Sequence, residues 1–472
     1  MNFSYLRFSL FIVPLVCVFS GCVGPNKPNL QQKLPVNWET SLPKEGLSIS
    51  LNSWWKIFNA PELDILVNDA LNKNLDIAQA NQLLLKARKL NSISKSLYLP
   101  NFSVGVKPVQ DAAARENYLH ASVDMIWEVS LYGESANQQQ AGNSIVLSAE
   151  AHEQGVRIAI IAKVVESYLR YIYANQQADQ LMRQLAVESR LQQLIVTRKK
   201  AHVAVDEEEI KSKLRETRLR DSLLDLQQVR EQSSRTLALL TGETLAQINQ
   251  QLYKKNISIQ KFRIEQLPAD LLRTRPDIRQ AEADVLQAAA DVGLARAALY
   301  PRLTLSGSLL YSYNLTDNYH NTNGKNTLGF GPIVDIPLWD WGQRRAVKEA
   351  KEYELQAALF GYRKAVLESI SETEDALSSL AYQDKHIQSL NKAIDQQNHL
   401  KQMQSTLNKL GLSSEYDGLN AQVEMFSIES EITEAQFKKA MILIILSKAL
   451  GGAPLTNMTT SLSSQSHMEQ NK

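Results

Sequence analysis

Residues Asn74–Pro100, NLDIAQANQLLLKARKLNSISKSLYLP, return later in the chain as Arg275–Pro301, RPDIRQAEADVLQAAADVGLARAALYP. Aligned without a gap at an offset of 201 positions, the two segments share seven identical residues out of 27. An internal repeat of this kind indicates two copies of one supersecondary unit. Each copy is predicted to run as a helix, two strands and two long helices.

Beyond its proline, each copy continues into strands of alternating polarity. In residues 119–129 the odd-numbered positions are apolar, and in residues 327–336 the even-numbered positions are mostly apolar. This period and length are typical of transmembrane barrel strands and also of a half-buried sheet in a soluble protein. On the membrane hypothesis, the barrel lumen is predicted to contain the acidic residues of the polar faces, namely Asp124, Glu128 and Asp335.

Two hairpins supply only four strands, whereas bacterial barrels begin at about eight. An unpaired backbone group at a sheet edge in lipid costs several kcal/mol. One chain therefore cannot close a barrel, and identical subunits must contribute four strands each. Two, three or four subunits would give about 8, 12 or 16 strands, and closure alone leaves these open.

Long helices are predicted for the rest of the chain. No proline occurs between Glu134 and Leu267 or between Gly342 and Gly452. A helix over residues 343–410 would be roughly 100 Å long at 1.5 Å per residue. A free coiled coil would explain this pattern, and so would a helical tube that continues a membrane pore into the periplasm. An apolar stripe with a mean spacing near 3.6 supports this helix; it consists of Leu355, Leu359, Tyr362, Val366, Ile370, Thr373, Leu377 and Leu380.

The N-terminus has the features of a secretory signal. Arg7 gives the positive charge, Phe8–Phe19 form a short apolar core, and the small residues before Cys22 resemble a bacterial lipobox. Cys22 would then be the lipidated first residue, and Val23 after it matches outer-membrane sorting. The alternative is an ordinary cleaved signal with an incidental cysteine.

Composition excludes several functional classes. The chain has 472 residues, a formal charge of +1 and a mean hydropathy of −0.26. The near-zero charge gives no electrostatic reason to expect nucleic-acid binding. The mean hydropathy is too low for a helical protein with many membrane spans. No Walker loop, dinucleotide fingerprint, nucleophile elbow or zinc motif is present. We therefore predict no enzyme activity, no cofactor and no metal site.

The chain resembles the TolC-like outer-membrane efflux proteins, in particular the NodT-type lipoprotein branch that serves resistance-nodulation-division pumps. The resemblance covers nearly the whole chain and is most specific between residues 267 and 301. It rests on Cys22-Val23-Gly24-Pro25; Trp54-Trp55-Lys56-Ile57-Phe58; Leu267-Pro268-Ala269-Asp270-Leu271-Leu272; Arg275-Pro276-Asp277-Ile278-Arg279; Tyr300-Pro301; Ile336-Pro337-Leu338; and Lys448-Ala449-Leu450-Gly451-Gly452.

The resemblance implies a mainly α protein with membrane β-strands: a homotrimer with a 12-stranded barrel in the outer membrane above a periplasmic barrel of α-helices. The protein would be lipid-anchored to the outer membrane. Its function would be a passive exit duct that docks a periplasmic membrane-fusion adaptor and an inner-membrane pump. The alternatives are a duct for type I protein secretion and a periplasmic coiled-coil adaptor lipoprotein that does not span the membrane.

By the same resemblance, a periplasmic gate lies in the second helical turn, 411–422. The family places a constricting apolar residue at the position of Tyr416 and an acidic ring at that of Asn420, where this chain has an amide. Asp417 is the alternative source of the acid. Tyr416 is equally compatible with simple packing between helices.

The first helical turn is marked by an acidic run that includes Asp206 and Glu209. These two residues are gate candidates, although an acidic run also favours a helix N-terminus electrostatically. The family's glycine near Lys200 is absent, which leaves the geometry of this turn open. We interpret Trp54, Trp55 and the Arg275-Pro276-Asp277 turn as packing and helix-start features.

The predicted domain organisation has five parts. They are a lipoprotein signal peptide (1–21), a lipidated extended segment (22–55), a first efflux repeat (56–256, hairpin about 100–132), a second efflux repeat (257–452, hairpin about 301–340) and a disordered tail (453–472).

Overall fold

The computed structural model describes residues 28–31, 34–41, 47–48, 51–111, 116–203, 205–252, 256–263, 268–270, 274–315 and 325–452. The predicted signal peptide, Cys22 and the C-terminal tail lie outside the described residues. The chain divides into two compact units. Of the described residues, unit 1 contains those within 28–31, 82–151 and 279–365, and unit 2 contains those within 34–81, 152–278 and 366–452.

The secondary structure is dominated by long helices. In chain order the elements are β1 (Leu47–Ser48), a 3-10 helix (Leu51–Phe58), α1 (Pro61–Lys73), α2 (Leu75–Ser96), β2 (Asn101–Asp111), β3 (Glu116–Val129), α3 (Glu134–Lys200), α4 (Asp206–Thr241), α5 (Leu245–Gln251), β4 (Phe262–Arg263), a 3-10 turn (Pro268–Asp270), α6 (Pro276–Ala297), β5 (Arg302–Asn314), β6 (Lys325–Asp335), α7 (Gln343–Lys409) and α8 (Glu415–Ala449).

The predicted internal duplication is confirmed. Helices α2 and α6 begin and end 201 positions apart, and β2 and β5 begin 201 positions apart. From the second strand of each hairpin onward the offset is 209: β3 and β6, α3 and α7, and α4 and α8 all begin 209 positions apart. The second hairpin is therefore eight residues longer between the starts of its two strands.

The predicted long helix over 343–410 is confirmed as α7, Gln343–Lys409, which contains 67 residues. Its apolar stripe faces inward, because Tyr362, Val366, Leu377 and Leu380 are buried. The equivalent helix α3 also has 67 residues. Every helix in the described residues is too short or too polar to traverse a bilayer.

The four long strands form one antiparallel sheet in unit 1, in the order β2-β3-β5-β6. Residues directly opposite in the register share a face, so the pairing defines both faces completely. One face is apolar apart from Gln110, Asn117 and Asn326; its other members are Phe102, Val104, Val106, Pro108, Leu119, Ala121, Val123, Met125, Trp127, Val129, Leu303, Leu305, Gly307, Leu309, Tyr311, Tyr313, Leu328, Phe330, Pro332 and Val334.

This apolar face is exposed in the single chain: Val104 and Leu328 are both 76% exposed. Strands β2 and β6 form the two edges of the sheet, and each carries a proline on this face, Pro108 and Pro332. Edge strands are where a sheet tolerates proline.

A short part of the N-terminal segment is fixed against α7 in unit 2. The backbone amides of Glu39 and Thr40 donate to the two carboxylate oxygens of Glu374, at 2.6 and 3.2 Å. The side chain of Trp38, just before them, is buried. In the 3-10 helix Leu51–Phe58, Trp54 and Trp55 are buried, as expected for packing residues.

Candidate functional site

The two helical turns of unit 2 have the same backbone geometry. Gly411 follows α7 with φ +73°, and His202, the residue 209 positions earlier, follows α3 with φ +55°. In each turn the next amide bonds back five residues: Val203 to the Arg198 carbonyl at 2.8 Å and Leu412 to the Leu407 carbonyl at 2.9 Å. Both helices thus end in a Schellman motif, and His202 takes the left-handed position that glycine usually fills.

We expect His202→Gly to stabilise the protein, because a side chain in the left-handed region costs about 1 kcal/mol relative to glycine. Gly411→Ala should destabilise it by a similar amount for the same reason. The apparent midpoint of thermal unfolding, followed by circular dichroism, measures both effects. His202→Ala is the control, since it removes the imidazole without relieving the backbone. Equal midpoints for His202→Gly and His202→Ala would refute the strain at this turn.

The side chain of Asp417 caps the start of α8. Its carboxylate accepts from the Ser414 hydroxyl at 2.6 Å and from the Ser414 amide at 3.2 Å, and its own amide donates to the Ser414 hydroxyl. These bonds form a capping box. The hydrogen bond from the Ser414 hydroxyl lowers the pKa of Asp417, and the bond from the Ser414 amide adds to this. Asn420 lies one turn further along α8 and is half-buried.

The beginning of α8 is attached to α3 by two side-chain contacts. The guanidinium of Arg190 donates to both carboxylate oxygens of Glu415, at 2.8 and 3.0 Å. The guanidinium of Arg198 lies over the ring of Tyr416, 4.3 Å from its centroid, as in a cation–π contact. The Tyr416 contact agrees with the packing alternative, while its role as a constriction stays a prediction.

The acidic residues of the first turn are paired within the turn. Lys199, near the end of α3, contacts Asp206 at 2.6 Å and Glu209 at 2.9 Å, and Lys213 contacts Glu209 at 2.7 Å. Hydrogen bonds from Lys213 and Lys199 lower the pKa of Glu209 to about 2. This arrangement matches an acidic helix start neutralised by lysines.

The three lumen candidates lie on the polar face of the sheet. Asp124 accepts the hydroxyl of Ser308 on the neighbouring strand at 2.6 Å. Glu128 is opposite Thr304 in the register, and Asp335 is opposite Arg302. All three acids are therefore on the face opposite Val104 and Leu328.

Sequence reasoning missed Arg190, Arg198 and Glu415. They lie far apart in the sequence and meet only when α8 packs on α3, so no local signal indicates the contact. The cap was detectable, because Ser414 and Asp417 have the spacing of a capping box. Among the described residues, no group of three or more histidine, cysteine, aspartate or glutamate side chains is arranged to hold a metal ion.

A chain with a four-stranded antiparallel sheet and two pairs of long helices has the fold of solved outer-membrane channels. The solved structure of the open state of the Neisseria gonorrhoeae MtrE outer membrane channel has this fold, with a TM-score of 0.77 and 22% identity. The match covers 93% of this chain and 100% of that one.

Sequence comparison agrees with the fold. A profile described as "Outer membrane efflux protein" matches residues 267–452. Nodulation protein T of Rhizobium leguminosarum bv. viciae is 25% identical over 452 residues, covering 94% of this chain and 91% of the relative. The probable outer membrane lipoprotein SilC of Salmonella typhimurium is 24% identical over 472 residues, covering 94% and 99%.

Residues 267–452 thus match the outer membrane efflux protein model, and most of the chain is similar to outer-membrane proteins of the TolC-like type. The proteins that it resembles are outer-membrane efflux proteins and outer-membrane channels.

Proposed function

We propose that three copies of this chain form the exit duct of a tripartite efflux system, with a 12-stranded barrel completed between subunits. The duct conducts substrates passively, and a periplasmic membrane-fusion adaptor and an inner-membrane resistance-nodulation-division pump deliver them. The chain itself catalyses no reaction. Cys22 anchors the mature chain in the outer membrane through its lipid, as the name of SilC, a probable outer membrane lipoprotein, suggests.

The observation that carries this proposal is the apolar face that continues across all four strands. A half-buried soluble sheet would place helices or a second sheet over such a face, yet Val104, Leu328 and Phe330 are each more than half exposed. Lipid is the solvent that favours this surface. Both sheet edges must then be paired, because unpaired backbone in lipid costs several kcal/mol.

The proposed organisation keeps the predicted parts: a signal peptide (1–21), a lipidated segment (22–55), efflux repeats 56–256 and 257–452, and a tail (453–472). The same duct could serve type I protein secretion. The lipobox at Cys22 favours the pump-linked branch. An adaptor that does not span the membrane would have no use for the exposed apolar face.

The oligomeric state tests the proposal. We expect the purified, lipidated protein in detergent to have the mass of three chains when measured by light scattering corrected for bound detergent. A stable monomer that inserts into lipid vesicles would contradict closure by three copies. A dimer or tetramer would show that the number of subunits is not three, but the barrel would still be closed between copies.

Two variants distinguish the candidates for the acidic ring at the gate. We expect Asn420→Asp to raise the cation selectivity of the reconstituted channel, because three carboxylates near a narrow axis favour cations. Asp417→Asn should leave selectivity unchanged and lower the thermal midpoint, because it weakens a helix cap worth about 1 kcal/mol. Reversal potentials in a salt gradient measure selectivity. A loss of selectivity in Asp417→Asn would assign the ring to Asp417.

A further inference from the structure

The two repeats use equivalent residues for equivalent helix contacts. In the first repeat, Ser212 of α4 donates to Glu188 of α3 at 2.5 Å. At positions 209 residues later, Gln397 of α7 donates to the carbonyl of Ala421 of α8 at 2.9 Å. Residues 209 positions apart therefore make equivalent side-chain contacts, just as the helices that contain them begin 209 positions apart.

Within one chain, α3 also binds α8, the second helix of the other repeat. Gln177 and Ser430 bond to each other at 2.8 and 3.0 Å. Arg190 holds Glu415 nearer the tip, and the rings of Tyr173 and Phe437 stack with centroids 4.5 Å apart. This surface is called the intrachain seam below.

Helix α7 is the equivalent of α3, but in a single chain its corresponding surface is open. Leu191 of α3 is 0% exposed, whereas Leu400, 209 positions later, is 55% exposed. Tyr382, the equivalent of the stacked Tyr173, is 70% exposed. This face of α7 has the same kind of apolar surface as α3 without the helix that covers it.

Helix α4 also has a face that no helix of its own chain covers. It is the equivalent of α8, and Thr433 of α8 is 7% exposed in the intrachain seam. Leu224, 209 positions earlier on α4, is 66% exposed. The open face of α7 and the open face of α4 thus correspond to two surfaces that bind each other within the chain. A second copy of this chain supplies the missing helix in each case.

The contact between α7 of one copy and α4 of a second copy is called the intercopy seam. The offset of 209 positions predicts which residues meet in it. His399 takes the place of Arg190, and Asp206 of the second copy takes the place of Glu415. Both His399 and Asp206 are exposed in the single chain. The contact nearest the tip thereby changes from arginine–glutamate to histidine–aspartate.

The contact further from the tip changes in the same way. His386 takes the place of Gln177, and Asp221 of the second copy takes the place of Ser430. Both His386 and Asp221 are exposed in the single chain. Two polar contacts of the intrachain seam therefore both become histidine–aspartate pairs in the intercopy seam.

We propose that α7 docks on α4 of a second copy in this register, with His399 facing Asp206 and His386 facing Asp221, and that these pairs make the intercopy seam sensitive to protonation. The proposal rests on the proposed assembly of several copies. Imidazole is the side chain that changes charge between about pH 5 and 8. Arginine–glutamate and glutamine–serine contacts do not change charge in this range, so the intrachain seam does not respond.

Several charged residues surround His399 in this register. In the second copy, Lys199 contacts Oδ1 of Asp206 at 2.6 Å. Glu207 is paired with Lys211 of the same helix at 2.5 Å. The charged residues facing His399 are Asp395 on α7, Glu424 on α8, and Asp206, Glu207, Lys199 and Lys211 of the second copy.

The charges around His386 are more evenly balanced, so His399 has the larger effect. The register also places Lys392 opposite Arg220, whose charge Glu216 of the same helix neutralises at 2.7 Å. The charged residues facing His386 are Asp384 and Lys385 on α7, Lys439 on α8, and Arg218, Arg220, Asp221 and Asp225 of the second copy.

The direction of the effect follows from the charges. Below about pH 5 an imidazolium attracts the facing carboxylate, and this attraction is lost as the pH rises through the range in which imidazole deprotonates. The intercopy seam is therefore strongest in mild acid and weakens towards pH 8. Separation of copies at the tip, but not separation of α3 from α8, becomes easier with rising pH.

Thermal dissociation of the oligomer tests the pH dependence. We expect the full-length oligomer in detergent to dissociate several degrees lower at about pH 8 than at about pH 5.5. His386→Gln with His399→Gln should abolish this difference. His399→Arg, which recreates the Arg190–Glu415 arrangement, should show a smaller pH difference than the wild type, because only His386 then changes charge. An unchanged pH difference in the double glutamine variant would overturn the proposal.

Chemical crosslinking tests the register independently. His399→Cys combined with Asp206→Cys should give dimer and trimer bands with a short bis-maleimide. Arg190→Cys with Glu415→Cys should crosslink within one chain and give none, and His386→Cys with Asp206→Cys is the mismatched control. Equal crosslinking of matched and mismatched pairs in an intact oligomer overturns the register alone. Absence of any oligomer overturns the assembly as well.

Discussion

Arg190→Glu is expected to raise the conductance of the reconstituted channel several-fold. The substitution places a carboxylate opposite Glu415, which Arg190 holds with two hydrogen bonds at 2.8 and 3.0 Å. Like charges then push the beginning of α8 away from α3, and the change is repeated in every subunit. The effect should be largest at low ionic strength, because salt screens exposed charges. Single-channel recording in planar bilayers measures it.

The matched control is the charge-swapped double variant Arg190→Glu with Glu415→Arg. It restores an attractive pair with the direction reversed and should return the conductance close to that of the wild type. Conductance that stays high in the swapped variant would show that the single variant acts by damaging the fold. If Arg190→Glu left the conductance unchanged, the contact between Arg190 and Glu415 would have no part in the gate. Tyr416→Ala then tests separately whether the ring on Arg198 constricts the path.

Arg275→Met is expected to lower the free energy of unfolding by about 2–3 kcal/mol, the largest stability effect that we predict. Arg275 is only 7% exposed. Its guanidinium donates to Asp277 at 2.6 Å, to Glu372 at 2.8 Å and to the carbonyl of Ala449 at 3.2 Å. One side chain therefore connects the start of α6 with α7 and the end of α8. The midpoint of urea unfolding measures the loss.

The same site gives a pH dependence with a definite sign. Burial by itself raises the pKa of Asp277, but the hydrogen bonds from Arg275 outweigh it and the pKa is lowered. A lowered pKa contributes stability that is present above the usual aspartate value of about 3.9 and lost as the pH falls below it. Wild-type stability should thus fall more steeply in acid than that of Arg275→Met. Arg275→Lys is the control and should be intermediate, since lysine lacks the planar fork. Parallel acid curves would contradict the assignment.

Much of the fold follows from local patterns in the sequence. The repeat predicted from residues 74–100 and 275–301 recurs as α2 and α6 at the same offset. The spacing of apolar residues predicts α7 almost to its ends, because a long helix without proline has few competing structures. The alternation over 119–129 and 327–336 identifies one apolar face. The faces of β2 and β5 follow only from the register, since their sequences alternate less regularly.

The site was harder to predict, because its contacts join distant positions. The pairing of Arg190 with Glu415 requires α8 to pack on α3, and nothing near either residue indicates it. Asp417 illustrates a different difficulty. Its position three residues before Asn420 made it an alternative acid for the gate, whereas its carboxylate caps α8 through Ser414. Its acidic side chain is therefore accounted for by a local structural role, and the gate assignment stays a prediction.

The most direct test of the proposed duct is the conductance of the purified wild-type oligomer and of its Arg190→Glu variant in planar lipid bilayers. We expect discrete single-channel steps, small for the wild type and several-fold larger for the variant. A correctly folded oligomer that binds lipid but gives no conductance in either form would contradict the conclusion that these strands enclose a continuous aqueous path.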